Sequence, residues 1–177
     1  MKVIAFDIAT VTGVAFGLAG GTPKAWAVDL GKGQSEDARF SKALRMTAHY
    51  CTSLQPDLVA VEAAIGGKDA NAYLIGLVAC VRGEATRHGV RCVSYHSGSI
   101  RKHFIGKAMT TRDFPGMSAA KAKLAIKGKV LWRCNLLGWN VTGLDAADAA
   151  ATWDFACAME SRAHQMSSVG GLFGGKK

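Results

Sequence analysis

Two short apolar runs stop on a carboxylate. Val3-Ile4-Ala5-Phe6 ends at Asp7, and Leu58-Val59-Ala60-Val61 ends at Glu62. Runs this short, with β-branched members and no polar alternation, read as strands covered on both faces, which places them inside a sheet flanked by helices. A charge at the end of such a strand sits where a core residue is expected. An unpaired carboxylate there is costly, so each needs a cation, a set of donors or a shifted pKa.

The rest of the chain supplies the layers. Thr10 to Leu18 and Ala25 to Leu30 are further strand-like runs, separated by the turn residues Gly20-Gly21-Thr22-Pro23, and together with the first run they suggest an antiparallel meander. Ser35 opens a helical pattern to about Leu54, in which Phe40, Ala43, Leu44, Thr47 and Cys51 recur at helical spacing. After the Glu62 strand, a helix is expected from about Asp69 to His88, closed by Gly89, and then a fifth strand from Val90 to Tyr95. Strand, helix, strand in succession implies parallel pairing. The expected architecture is therefore α/β, with a five-stranded mixed sheet of three antiparallel and then two parallel strands. Ser97 or Ser99 is expected to cap a short helix through Ile105, residues 107–117 to form a flexible loop, and Ser118 to Cys134 and Thr142 to about His164 to be helical. At 177 residues and 49% hydrophobic, one domain over 1–165 can bury its core unaided, with 166–177 as a flexible Gly/Ser-rich tail.

Cysteine and histidine usage excludes other chemistries. The five cysteines are widely spaced and mostly lie in apolar runs, and no two histidines stand three to five residues apart, so zinc motifs lack ligands. No segment approaches the length of a membrane span and the first residues lack a signal-type apolar stretch, from which a cytoplasmic protein is expected. The formal net charge is +9, and residues 101–133 alone hold nine basic residues against Asp113. Charge concentrated in this way suggests a polyanion partner.

The third acidic element is Leu144-Asp145-Ala146-Ala147-Asp148-Ala149-Ala150-Ala151. Its two aspartates, at i and i+3, share a helix face otherwise lined with alanine, thin enough to press against a sheet. Thr142-Gly143-Leu144-Asp145 also fits a capping box, which accounts for Asp145 but not for Asp148. Four hard oxygen donors, with no thiol or imidazole beside them, suit Mg²⁺ or Mn²⁺, and two such ions together can drive phosphodiester hydrolysis.

Phe6-Asp7-Ile8-Ala9-Thr10-Val11-Thr12-Gly13-Val14-Ala15-Phe16-Gly17, Val61-Glu62 and Asp145-Ala146-Ala147-Asp148-Ala149 resemble, in order and spacing, the RuvC-type Holliday junction resolvases, from Met1 to about Cys157. The resemblance implies an RNase H-like fold and a homodimer that makes paired Mg²⁺-dependent nicks in a four-way DNA junction. Asp7, Glu62, Asp145 and Asp148 would then be the catalytic metal ligands for two ions, and Arg101, Lys102, Lys107, Lys121, Lys123, Lys127 and Lys129 the DNA-binding set. Asn71 and the helix after it resemble the segment lining the DNA groove and the dimer contact. The chain departs from the family at Asp7-Ile8-Ala9, where Asp-Pro-Gly is usual, and at Ile65-Gly66-Gly67, where an aromatic wedge is frequent. Its 107–117 loop is also longer, which suits a divergent or phage-encoded bacterial member. The alternatives are a YqgF-like nuclease of the same fold acting on RNA, and a junction-binding protein without catalysis. A sugar-kinase-like ATPase shares the first motif but requires a second such domain. Tyr73, His103 and Phe104 are aromatic candidates for contacting unstacked bases, with core or capping roles as the plainer reading.

Overall fold

The structure, a computed structural model, describes residues 1–67 and 70–173. Strands β1 (Lys2–Asp7), β2 (Val11–Leu18) and β3 (Lys24–Asp29) form the antiparallel meander, and β4 (Leu58–Glu62) and β5 (Arg91–Tyr95) extend it in parallel. The spatial order is β3-β2-β1-β4-β5, so β1 is the central strand. This is the mixed five-stranded sheet expected from the sequence.

Period-two alternation assigns the two faces. Ile4, Phe6, Val14, Val59 and Val61 pack against α1 (Glu36–Leu54) and α2 (Ala72–Arg87), forming one core. Val3, Ala5, Ala15, Leu58 and Ala60 face the opposite core, built with α3 (Ser97–Ile105), α4 (Ala119–Leu136) and α5 (Leu144–Phe173). The second face is lined by small residues. Ala5, Ala15 and Ala60 in the sheet meet Ala146, Ala149 and Ala150 of α5, all fully buried, so helix and sheet approach closely.

The helix starts follow local chemistry. Ser35 accepts from the Ala38 amide at 3.2 Å and Asn71 from the Leu74 amide at 3.1 Å, each satisfying an otherwise orphaned donor. Asn71 shortens α2 relative to the helix expected from Asp69. Neither Ser97 nor Ser99 caps α3; His96 takes that position without a side-chain bond, since both serines already lie inside the helix. The 107–117 loop is more ordered than its composition suggests. Thr110 and Asp113 form a reciprocal capping box around a single 3-10 turn, and Lys107 pairs with Asp113. Helix α5 continues past His164 to Phe173, so the segment expected as tail is helical that far. Residues 174–177 lie outside the described residues.

Candidate active site

On β1, Val3 and Ala5 face α5, and alternation brings Asp7 to the same side. On β4, Leu58 and Ala60 face α5, and Glu62 follows them. The parallel register pairs Phe6 with Val61, so Asp7 and Glu62 come next to each other at the carboxyl ends of adjacent strands. Ligands in α/β sheets characteristically bind at this end. Above it lies the first turn of α5, carrying Asp145 and, one turn on, Asp148. The approach is permitted by Gly13 on β2. A Cβ added there would stand 1.9 Å from the Asp145 carbonyl oxygen and 2.5 Å from its carbon.

The carboxylates gather round an ammonium group. Lys127 of α4 places its Nζ 2.7 Å from Asp145 Oδ1, 3.0 Å from Asp148 Oδ2 and 3.6 Å from Asp7 Oδ2. Asp145 is thus turned to Lys127 rather than back to the start of its own helix. Glu62 makes none of these ion pairs. Burial, then the charge of Asp148, pushes Asp7 up to about 6, against the opposing pull of Lys127. Burial and then the charge of Asp7 push Glu62 up to about 8, although Arg101 and Lys127 act the other way. Asp148 is raised by burial and held back by Lys127. Burial alone would lower the Lys127 ammonium, but Asp148 and Asp7, with the bonds to Asp145 and Asp148, keep it above the ordinary lysine range.

Among the described residues, no three His, Cys, Asp or Glu side chains stand together as a finished metal cage. The donors nevertheless fit a hard divalent cation. All are carboxylate oxygens, and three of the four already serve a single cationic point, now filled by Lys127 Nζ. A metal would compete with that ammonium for the same oxygens.

Of the seven basic residues expected to meet DNA, Arg101 and Lys127 lie at the acidic cluster. Arg101 acts on Glu62 and Asp148 through its charge, and its Nη1 donates to the Met109 carbonyl at 3.4 Å. Lys107 holds the 3-10 turn through Asp113. Lys102, Lys121, Lys123 and Lys129 are exposed. Lys123 and Lys127 stand one helical turn apart on α4, the first exposed and the second turned to the carboxylates. Phe104 is buried against Trp139, while Tyr73 packs on Phe40 beneath Arg39, so both have structural work. The placement of Lys127 had one sequence signal: it stands three residues before the buried Val130, at the margin of the apolar stripe of α4.

Replacing Lys127 by methionine should leave three carboxylates without their neutralising group. The expected result in EDTA at pH 8 is a loss of about 1–3 kcal/mol, discounted for the partial exposure of the lysine and measured by urea unfolding. An unchanged midpoint would show that the ammonium contributes nothing to the cluster.

No protein-family model matches the sequence, and no curated protein matches it. Solved structures do. The chain is similar to RuvC of Thermus thermophilus, with 18% identity over 90% of this chain and 97% of that one, at a TM-score of 0.63. The same protein in complex with a Holliday junction substrate matches at 15% identity over 91% and 96% of the two chains, with a TM-score of 0.66. The yeast mitochondrial Holliday junction resolvase Ydc2 matches at 12% identity over 90% and 80%, with a TM-score of 0.52. These likenesses show that the fold is that of the RuvC-type resolvases.

Proposed function

We propose that this chain is a divalent-metal-dependent endonuclease that cuts branched DNA, four-way junctions above all, as a homodimer making paired nicks. The observation that carries this reading is the meeting of Asp7, Glu62, Asp145 and Asp148, from three distant segments, at the carboxyl ends of β1 and β4. The fold shared with a RuvC that was solved on a Holliday junction supports the substrate class. Among the described residues no helix is long and apolar enough to cross a membrane.

In this reading Asp7, Glu62, Asp145 and Asp148 hold Mg²⁺ or Mn²⁺, two ions per site, which would supply an activated water and stabilise the leaving oxygen. The sheet fixes Asp7 and Glu62, and α5 fixes the two aspartates one turn apart, so the donor set is held by rigid elements. Lys127 keeps mutual repulsion tolerable before metal arrives. Once displaced from the carboxylates, its ammonium remains on the same helix face, where it can meet a phosphate oxygen. Arg101 stands beside Glu62 and adds positive charge at the same place. The exposed Lys102, Lys121, Lys123 and Lys129 favour polyanion binding through counterion release, without reading bases.

The direct test is incubation with labelled four-way junction, Y-fork, linear duplex and structured RNA in Mg²⁺. Symmetric nicking of the junction is the expected result. Cleavage of RNA alone would replace this proposal with an RNA-directed nuclease, and binding without any cleavage would leave a junction-binding protein.

Metal linkage gives a second expectation. Asp7, Glu62 and Asp148 are raised in the folded state, so the native protein holds those protons more tightly than the unfolded chain does. Their contribution is fully favourable below the unfolded carboxylate range. It is lost as pH rises through about 6 for Asp7 and about 8 for Glu62. Lys127, raised from 10.5, stays charged throughout that window and does not change the sign. Metal-free protein should therefore lose thermal stability from pH 5 to pH 9, and the gain in melting temperature on adding Mg²⁺ should grow over the same interval. A gain that is flat with pH would remove these carboxylates from the metal site.

A further inference from the structure

Where the last turn of α3 meets the second half of α4, the surface opens into a cleft of about 610 Å³ lined by His103, Phe104, Lys107, Lys129, Trp132 and Arg133. Lys129, Trp132 and Arg133 fall at i, i+3 and i+4 on α4 and so form one strip. Trp132 is the anomaly. Its side chain is 61% exposed, whereas Trp139 and Trp153 are 8% and 1% exposed within the core. The acidic cluster has no use for this ring.

The polar groups beside the indole are all cationic or shared. Arg133 Nε is buried without a hydrogen-bond partner, a donor whose desolvation is uncompensated. Lys129 is exposed and, among the described residues, makes no ion pair. Lys107 is already held by Asp113, and His103 is fixed by Asp154 Oδ2 at 2.8 Å. Among the described residues, no acidic residue lines the cleft. A wet aromatic face flanked by two uncommitted cations fits a ligand that is flat and apolar at one end and anionic at the other. A nucleotide has that chemistry, and the volume lies in the range of small-molecule sites.

Arg101 lies between the cleft and the carboxylates. Met109, on its rim, accepts from Arg101, whose charge acts on Glu62 and Asp148. Asp154, the partner of His103, follows Asp148 by six residues on α5, about 9 Å along the axis. A single strand covers that in about three nucleotides.

We propose that this cleft holds an unstacked nucleotide of a DNA strand, its base against the Trp132 indole and its phosphate between Lys129 and Arg133. This rests on the nucleic-acid reading above and adds a stacking subsite outside the acidic cluster. The test uses full-length protein in EDTA, with fluorescence anisotropy on a labelled single-stranded DNA decamer, the same decamer in RNA, a duplex, a four-way junction and free deoxyadenosine monophosphate. Trp132→Ala should weaken binding of the DNA decamer about 10-fold, while Trp132→Phe, which keeps a ring, stays within about 3-fold of wild type. The decamer should quench tryptophan emission in wild type and much less in Trp132→Ala. Lys129→Ala provides a variant with no ring removed and should flatten the salt dependence of decamer binding by a slope of about one.

Trp132→Ala binding the decamer as wild type does would overturn the proposal, as would Trp132→Phe losing as much as Trp132→Ala. The monophosphate binding as tightly as the strand would assign the cleft to a free nucleotide, and tighter binding of the RNA decamer would overturn the choice of DNA. If no nucleic acid binds at all, the endonuclease reading fails as well. If the junction is bound and nicked while Trp132→Ala is neutral, only the stacking subsite fails.

Discussion

In Mg²⁺, the Asp7→Asn protein should nick a four-way junction at least about 10³-fold more slowly than wild type, because the change removes a charged oxygen that no neighbour can replace in the proposed metal site. In EDTA the same protein should be more stable, not less. Asp7 is largely buried, and its carboxyl is pushed up to about 6, so at pH 8 wild type holds a charge that its surroundings oppose. At about 1.4 kcal/mol per pH unit, the neutral amide should recover about 1–2 kcal/mol after the lost contact with Lys127 is subtracted. That corresponds to a rise of about 2–8 °C in melting temperature. Junction binding in EDTA should be retained. Opposite movements of activity and stability are the signature of a group placed for chemistry at the expense of the fold. If Asp7→Asn cuts at the wild-type rate, Asp7 is not a ligand; if it melts lower in EDTA, its charge is structural.

Among the described glycines, Gly13→Ala should be the most damaging change to alanine. The added Cβ would stand 1.9 Å from a backbone oxygen of α5, not from the end of a flexible side chain, and 3.1 Å from the Ala149 methyl. Relief requires α5 to lift away from β2, and the surface it leaves is the dense layer of buried alanines. Overpacking against backbone costs about 1–3 kcal/mol or more. The displaced turn carries Asp145, with Asp148 one turn behind, so activity should fall further than stability does. Both can be measured on one preparation, by urea unfolding and by junction nicking below the unfolding range. A Gly13→Ala protein with wild-type stability and rate would mean that α5 does not sit against β2 as described.

Much of this was visible in the sequence because the decisive signals were local. Val3 to Phe6 and Leu58 to Val61 are continuous apolar runs, and the acids that end them are conspicuous for that reason. Once the two strands are parallel neighbours, alternation alone brings Asp7 and Glu62 to one face. Lys127 was not legible in the same way. A lysine in a basic helix reads as solvated, and only the docking of Ile126, Val130 and Cys134 of α4 into the core turns it toward the aspartates. The order in the 107–117 loop rests on the Thr110 and Asp113 pair, hidden among residues whose composition signals a loop. Ser97 and Ser99 drew attention as caps because of their type, yet His96 begins the helix by backbone conformation alone. Helix α5 outruns the expected end because Ser167, Ser168, Gly170 and Gly171 are poor helix formers, not absolute stops.

The acidic side chains come from opposite ends of the chain, Asp7 from its first strand and Asp145 and Asp148 from its last helix. A truncated or half-synthesised product that stops before α5 therefore exposes a sheet with two stranded carboxylates and nothing to complete them. Under the endonuclease reading proposed above, incision would wait until α5 has docked, so cutting would report that the fold around the acidic cluster is complete.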